Sequence, residues 1–416
     1  MAGNDLPILS DLERTVLRDL ALRVAEQAAR PVEDEKRREW YRHNALQPGR
    51  PLVFCDPENG WHEIFPPESL QCNSELARQW EFELRIKDFY GARMRDDRVI
   101  DARFTLRPVA QETGWGLQTP IIGRGEGKAF TWDPPLKDLN DLSGLRVPAA
   151  TVDGEATDRL KAFAEELFDD VLSVDVKGVW WWSLGMTQRL VYLRGLEQMM
   201  FDMLENPEGF HRLMAFMRDA QLARLDQLEA DGLLCLNNGN DYVGSGGFGF
   251  TDELPATGHH GLVRTRDMWG FCESQETLGV APEMFEEFVF QYQLPILERF
   301  GLNCYGCCEP LDGRWAVVKK TPRLRRVSVS AWAAPERMAE YLGNRFIFSA
   351  KPNPAHLAVP VFDEAPVRRD LRRIVEAARG CPLELIMKDN QTIAKDPARV
   401  CRWVEIAREE MERVAG

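Results

Sequence analysis

The chain has 416 residues, of which 44% are hydrophobic and 28% charged, as in folded proteins that bury an extensive core. Its formal net charge of −14 argues against nucleic-acid binding, because neutralising phosphates requires a basic face. The first residues are polar and acidic, unlike a secretory signal, and no apolar run reaches the roughly 18 residues of a membrane-spanning helix. We therefore expect a cytoplasmic protein with no nucleic-acid or membrane partner.

The first 150 residues are predicted to be mostly helical or irregular. Apolar residues recur at helical spacing over residues 11–30, and Pro31 closes that segment. A further helix is predicted over residues 74–90, whereas most of 31–150 is rich in Pro, Gly, Trp and charge. We interpret residues 1–150 as an extension that packs on a domain formed by residues 151–416.

From residue 153 onwards, amphipathic helices alternate with short apolar strands. The predicted helices span residues 156–170, 188–204, 207–230, 281–300, 312–320, 335–342, 364–379 and 397–414. The predicted strands span residues 171–176, 232–236, 301–305, 324–330, 345–349 and 382–387. This alternation is typical of an α/β fold with a parallel sheet, and we predict a TIM (β/α)8 barrel, with an open doubly wound sheet as the alternative. In a barrel the loops after the strands share one face, where such enzymes carry out their chemistry.

The loop after the strand at residues 301–305 concentrates metal-binding groups. Cys307, Cys308 and Glu309 place two thiols and a carboxylate at one strand end. Thiolates suit zinc, and a catalytic zinc needs only three protein ligands. His260, in the pair His259-His260, is a candidate imidazole ligand. We predict a zinc site from these four residues; the alternatives are a cysteine-rich strand end packed in the core and a solvated histidine loop.

Three residues are predicted to be catalytic and five to bind substrate. The catalytic candidates are Glu273, Tyr305 and Asp389, of which the two carboxylates would handle protons. The substrate-binding candidates follow predicted strands or belong to aromatic clusters: Asn240, Asp241, Trp269, Lys351 and Trp181. A capped helix start near Glu273, core packing of Trp181 and a rim ion pair at Lys351 are the structural alternatives. The glycine-rich segment 244–250 lacks the ending of a phosphate-binding loop, and we predict a mobile lid.

Five segments carry a resemblance to a known family over nearly the whole chain. They are residues 249–255, 269–276, 305–310, 351–354 and 387–392, among them Trp-Gly-Phe-Cys-Glu-Ser-Gln-Glu and Tyr-Gly-Cys-Cys-Glu-Pro. In these the chain resembles the uroporphyrinogen decarboxylase superfamily, in the decarboxylase-like branch related to zinc- and corrinoid-dependent methyltransferases. The resemblance implies a (β/α)8 barrel.

The resemblance also implies a chemistry. In the methyltransferase relatives a His-x-Cys pair at a strand end and a later Cys bind zinc, which activates a substrate thiol. Here Tyr305-Gly306-Cys307 stands in place of the pair, so Cys307 matches but the histidine does not, and residues 349–351 supply no later cysteine. The resemblance therefore implies a zinc-dependent methyltransferase or demethylase acting on a small molecule, with a corrinoid protein or a thiol as methyl partner. A homodimer is a further expectation.

Two other functions remain open at this stage. One is a metal-free decarboxylase or lyase acting on a carboxylate-bearing, tetrapyrrole-like substrate, with Lys351, Arg264 and Arg266 as carboxylate clamps. It ranks second, because residues 1–60 lack the paired arginines with which the tetrapyrrole decarboxylases hold their substrate. The other is a non-catalytic barrel that binds a corrinoid or a tetrapyrrole.

Overall fold

The computed structural model describes residues 6–123 and 130–415 as a mixed α/β protein. Its helices are α1 (Asp11–Ala28), α2 (Pro31–Asn44), α3 (Trp61–Ile64), α4 (Glu75–Phe89), α5 (Gly154–Phe168), α6 (Thr187–Arg194), α7 (Leu196–Glu205), α8 (Pro207–Ala230), α9 (Pro282–Phe285), α10 (Gln291–Leu297), α11 (Trp315–Val318), α12 (Pro335–Leu342), α13 (Ala355–Ala358), α14 (Glu364–Ala377) and α15 (Ala398–Ala415). Its strands are β1 (Leu52–Cys55), β2 (Arg103–Leu106), β3 (Ala110–Glu112), β4 (Ile121–Ile122), β5 (Thr131–Trp132), β6 (Ala150–Val152), β7 (Ser173–Val176), β8 (Trp269–Cys272), β9 (Leu302–Tyr305), β10 (Leu324–Val329), β11 (Ile347–Ala350) and β12 (Leu383–Met387).

Local sequence explains where the long helices begin. The hydroxyl of Ser10 accepts a hydrogen bond from the Glu13 amide, and the Glu13 carboxylate accepts one from the Ser10 amide, which together cap α1. α8 begins with an Asn206 cap and with Pro207 in its first turn, where a missing N–H costs nothing. The helices predicted at both places are confirmed.

Six strands form one parallel sheet in the order β1-β12-β11-β10-β9-β8. The prediction of a parallel sheet with helices between its strands is thereby confirmed. Within the described residues this sheet does not close on itself, and β2 and β7 pair in a separate parallel ladder. A closed eight-stranded barrel therefore stays a prediction.

The structure corrects several predicted elements. β1, from the supposed extension, lies in the main sheet, where it pairs with β12; the domain boundary near residue 150 itself stays a prediction. Residues 232–236 form no strand, and the helix predicted over 188–204 is broken at Gly195 into α6 and α7. Short apolar runs fit a strand, a loop or a helix equally well, and tertiary contacts decide among them.

The glycine-rich segment is not a lid, because every residue from 243 to 250 is buried. The side-chain amide of Asn44 donates to the carbonyls of Phe248 and Phe250, both at 2.8 Å, and the Trp269 indole donates to the Gly249 carbonyl at 2.9 Å. These bonds tie the segment to α2 and β8. It therefore fills the interior beside the sheet instead of opening and closing over a site.

A buried ion pair crosses the sheet between β10 and β12. Arg326 donates to both oxygens of Glu384, at 2.8 and 3.2 Å, and both side chains are essentially inaccessible to solvent. His43 lies 3.0 Å from the same carboxylate, so α2 is joined to the sheet by a polar contact. None of the described helices is both long and apolar enough to cross a membrane.

Candidate functional site

Three strands of the main sheet end at one side of the molecule and deliver the polar groups of a single cavity. Cys307 and Cys308 follow β9, Lys388 and Asp389 follow β12, and Asp56 follows β1. Because these strands are parallel members of one sheet, their carboxyl ends share one edge of it. All five residues line a cavity of about 380 Å³, which we call the thiol cavity.

The loop after β9 is shaped to turn both thiols towards this cavity. Gly306 adopts a φ of 91°, and a Cβ there would lie 2.6 Å from the Leu311 side chain, so a larger residue does not fit. The buried Glu309 carboxylate accepts hydrogen bonds from the amides of Ser274 at 2.9 Å and Cys307 at 2.8 Å. Glu309 thus fixes the loop to the end of β8.

One group of three candidate metal ligands lies in the described part of the chain: Cys307, Cys308 and Asp389. Their ligand atoms all lie within 4.8 Å of one another. The two Sγ atoms are 3.5 Å apart, and the Cys308 thiol donates to Asp389 Oδ2 at 3.3 Å. Two sulfurs and a carboxylate oxygen are a donor set that suits zinc, and the adjoining cavity leaves room for a further ligand.

The surroundings of Cys307 stabilise its thiolate. The neighbouring Cys308 thiol, 3.5 Å away, lowers the pKa of the Cys307 thiol, and the Lys388 charge and the Ser245 hydroxyl, 3.2 Å from Sγ, act in the same direction against burial. Burial opposes the charge of Lys388 itself, but the acidic groups around it outweigh burial and raise the pKa of the ammonium. Cys307 is only 2% exposed, but it lines the cavity and has the character of a metal ligand or nucleophile.

Two residues of the cavity have unusual backbone conformations. Asp389 has a φ of 62° and Glu58 a φ of 50°, and neither is a glycine. The Lys388 ammonium lies between them, 3.4 Å from Asp389 Oδ1 and 3.6 Å from Glu58 Oε1. Left-handed non-glycine residues cost energy and concentrate at functional sites. Their presence in one cavity supports a function for it.

Two larger cavities adjoin this one through shared side chains. Trp182 and Tyr242 line both the thiol cavity and a cavity of about 500 Å³ that we call the aromatic cavity; four of its residues are Trp180, Trp181, Trp182 and Trp269. Tyr242 also borders a cleft of about 860 Å³ between the β2–β7 ladder and the segment 234–242. The three spaces have sizes usual for small-molecule sites.

The predicted zinc ligands are brought together only in part. Cys307 and Cys308 are neighbours in the site, but Glu309 is wrongly placed for a ligand, since it is fully buried and holds two backbone amides. His260 is exposed and does not belong to the group. Asp389, predicted as a proton carrier, supplies the third candidate ligand instead.

The other two catalytic predictions are not supported by position. Glu273 is 1% exposed and accepts hydrogen bonds from the Ser183 hydroxyl and the Gln275 amide. Tyr305 is equally buried, and its hydroxyl donates to Gln293 Oε1 at 2.7 Å. Neither side chain lines the thiol cavity. Glu273 follows β8 and Tyr305 ends β9, but both side chains are buried in the core behind the thiol cavity.

The substrate-binding predictions divide between the cavities. Trp181, Trp269 and Asp241 line the aromatic cavity, and Asn240 lines the large cleft, where its amide donates to the Val99 carbonyl. Lys351 does not reach any of these cavities, because its ammonium is buried against the Ser349 hydroxyl at 2.6 Å.

The carboxylate clamp proposed for a decarboxylase is not assembled. Arg264 and Arg266 are exposed and precede β8, at the opposite edge of the sheet from Cys307, while Lys351 is buried in the sheet. Arg264, Arg266 and Lys351 lie too far apart to bind the carboxylates of one small substrate. The metal-free hypothesis thus loses the residues on which it depended.

Sequence reasoning assigned no role to several residues of the thiol cavity, which are Asp56, Glu58, Gln188, Tyr242 and Lys388. Ser245, which hydrogen-bonds to Cys307, was also missed. Lys388 had a usable signal, since it directly precedes Asp389 at the end of a predicted strand. Asp56 and Glu58 had none, because the strand before them was not predicted.

No protein-family model matches the chain, and no curated protein matches it.

Proposed function

We propose that this protein is a zinc-dependent methyltransferase or demethylase whose metal is held by Cys307, Cys308 and Asp389. The observation that carries the proposal is that two thiols and a carboxylate from two different strand ends meet within 4.8 Å at the wall of a cavity. We further propose that β2 and β7 complete an eight-stranded barrel with the six-stranded sheet, which would make this edge the usual catalytic face.

The donor set is the first reason to favour a sulfur or ether substrate. Zinc bound to these three side chains would supply a Lewis acid that keeps a substrate thiol as its thiolate or polarises an ether oxygen. Thiolate ligands are soft, which suits a soft substrate atom such as sulfur. Three protein ligands beside a cavity also match the pattern of catalytic rather than structural zinc sites, which are closed by four.

The remaining residues of the cavity act on charge and position. Lys388 donates to Ser245 Oγ at 3.4 Å, and Ser245 in turn donates to Cys307 Sγ, so the ammonium charge is connected to the thiolate. Asp389 accepts from Cys308 with one oxygen and faces Lys388 with the other. These contacts orient the three ligand atoms before any ion binds, which lowers the cost of assembling the site.

In the proposed transfer the methyl acceptor is a thiol and the methyl donor is a methylcorrinoid. The substrate sulfur would attack the methyl carbon and form an S–CH3 bond, while the bond between that carbon and the donor would break with its electron pair left on the donor. The thiol proton is released to solvent. In the demethylase direction the same bonds form and break in reverse order.

The proposed metal site is tested by measuring the amount of zinc bound per chain. Protein stripped with a chelator and reloaded with zinc is expected to retain about one ion per chain after dialysis, with this stoichiometry lost in Cys307→Ser, Cys308→Ser and Asp389→Asn. Cys381→Ser is the matched control, because Cys381 is a half-buried thiol outside the cavity. Wild-type protein without bound zinc, or full zinc retention by all three variants, would refute the site.

Activity is tested anaerobically with methylcob(III)alamin and 2-mercaptoethanol as probes. Zinc-loaded protein is expected to convert the donor to cob(I)alamin, visible in its absorption spectrum, at a rate that Cys307→Ser abolishes and Cys381→Ser leaves unchanged. Equal rates in the two variants would contradict methyl transfer at this site.

A further inference from the structure

The aromatic cavity is built for a flat ring. Trp180, Trp181, Trp182 and Trp269 line it, together with Phe271. Trp180 and Trp269 are held rigidly, since their indole nitrogens donate to the carbonyls of Leu233 at 2.8 Å and Gly249 at 2.9 Å. Rigid aromatic walls favour ligands that stack or pack edge to face against them.

Its charged groups favour an anion. The lining includes Arg107, Lys177 and one carboxylate, Asp241. Lys177 and Asp241 neutralise each other in an ion pair of 2.7 Å. Within residues 6–123 and 130–415, Arg107 makes no side-chain hydrogen bond or ion pair, so the N–H donors of its exposed guanidinium are open to a ligand. A guanidinium pairs with a carboxylate through two parallel hydrogen bonds.

The aromatic cavity also leads to the thiols. Trp182 and Tyr242 border both spaces and remain 42% and 38% exposed, so they are accessible from the cavities that they separate. The Trp182 ring already lies 5.8 Å from the Lys388 ammonium, which in turn faces Asp389. A molecule seated among the tryptophans can thus place one substituent beside Cys307 while the rest of it stays outside the thiol cavity.

We propose that the substrate is a planar aromatic carboxylate whose ring also bears the oxygen or sulfur atom that gives or receives the methyl group. The tryptophans would hold the ring, Arg107 its carboxylate, and the space past Trp182 its reacting atom. This inference rests on the proposed function for the role of the reacting atom, but ring and carboxylate recognition need only the residues of the aromatic cavity.

Binding is measured by calorimetry on chelator-treated protein, which separates this inference from the metal. The probe is 3-methoxybenzoate. Two matched compounds each remove one feature: anisole lacks the carboxylate, and 3-methoxycyclohexanecarboxylate lacks the flat ring. We expect 3-methoxybenzoate to bind about tenfold or more tightly than either, as expected for losing one charged hydrogen-bonded contact or the ring stacking.

Variants assign the contacts. Arg107→Gln is expected to weaken 3-methoxybenzoate about tenfold while leaving anisole unchanged, and Trp181→Leu to weaken both. Arg369→Gln, an exposed arginine on α14 that lines none of the three cavities, is the control and should bind like wild type. Arg107 is exposed, so its variant is expected to fold; circular dichroism checks Trp181→Leu.

Absence of 3-methoxybenzoate binding, or equal binding of the three compounds, would overturn the inference. So would an Arg107→Gln variant with unchanged affinity for 3-methoxybenzoate. Because the protein in this experiment is metal-free, these results leave the zinc site untouched. Conversely, wild-type protein that binds the probe but retains no zinc would overturn the proposed function and not the ring and carboxylate recognition.

Discussion

Replacing Glu384 by Gln should destabilise the fold far more than removing an exposed carboxylate. Glu384 is fully buried on β12 and accepts hydrogen bonds from Arg326 Nε at 2.8 Å, Arg326 Nη2 at 3.2 Å and the Ser349 hydroxyl, with His43 Nε2 at 3.0 Å. In Glu384→Gln the Arg326 guanidinium, itself 1% exposed, loses its counter-charge, and the new amide N–H groups face other donors.

The expected loss follows from this geometry. Removing one partner of a buried, hydrogen-bonded ion pair costs about 3–5 kcal/mol, because the other charge stays buried without compensation. A total stability of roughly 5–15 kcal/mol is typical, so this loss would be a large fraction of it. Urea unfolding followed by circular dichroism should show a lower midpoint with an unchanged slope.

Glu336→Gln is the matched control. Glu336 also forms a two-bond pair with an arginine, Arg373, at 2.8 and 3.0 Å, but both side chains are more than half exposed. Exposed pairs contribute about 0–1 kcal/mol. Similar losses in Glu384→Gln and Glu336→Gln would refute the reasoning, because the Glu384 pair is buried with two further polar partners, whereas the Glu336 pair is exposed.

The same pair has a defined pH dependence. Burial alone would raise the pKa of Glu384, but the Arg326 charge and the His43 hydrogen bond outweigh it, so the pKa lies below its ordinary value. A carboxyl whose pKa is lower in the folded state contributes stability that is complete above its unfolded pKa and is lost as the pH falls. Wild type should therefore lose more stability than Glu384→Gln when the pH is lowered from 7 into the acid range.

Three further predictions concern the interior and the cavity. Burial lowers the pKa of Lys351 to about 8, so unfolding takes up a proton between that pH and the pKa of an unfolded lysine, and wild-type stability should rise with pH over this range by on the order of 3 kcal/mol. Urea titrations of Lys351→Met at several pH values should show a flatter profile of stability against pH. A profile identical to that of wild type would contradict the assignment. Gly246→Ala should destabilise the protein by about 1–3 kcal/mol, because the φ of 113° is strained for alanine and its Cβ would lie 2.6 Å from the Ile386 side chain. Thermal melting measures this loss, and an unchanged melting midpoint would contradict it. Ser245→Ala removes the hydrogen bond to Cys307 Sγ and should raise the pKa of that thiol. The rate of iodoacetamide labelling of Cys307 against pH, in metal-free protein, measures this pKa. A labelling curve that does not shift would show that Ser245 does not stabilise the thiolate.

Much of the secondary structure and two of the three candidate metal ligands follow from the sequence alone. Helical spacing of apolar residues determines α1, α8, α12, α14 and α15. The side chains of Ser10, Asn206 and Asp363 cap the starts of α1, α8 and α14. Alternation of helices and short apolar strands determines the parallel sheet. A turn glycine followed by two cysteines at a strand end indicates Cys307 and Cys308 without any knowledge of their neighbours.

Only the tertiary structure decides which distant residues join them. Asp389 rather than Glu309 becomes the third candidate ligand, because the fold of the loop commits the Glu309 oxygens to two backbone amides, while β12 ends opposite Cys308. Asp56 reaches the cavity because β1 pairs with β12, a contact between residues more than 300 positions apart that no local pattern encodes. Burial, too, is decided by packing, since Tyr305 and Lys351 stand at strand ends like Cys307 and Asp389 yet are buried away from the cavity.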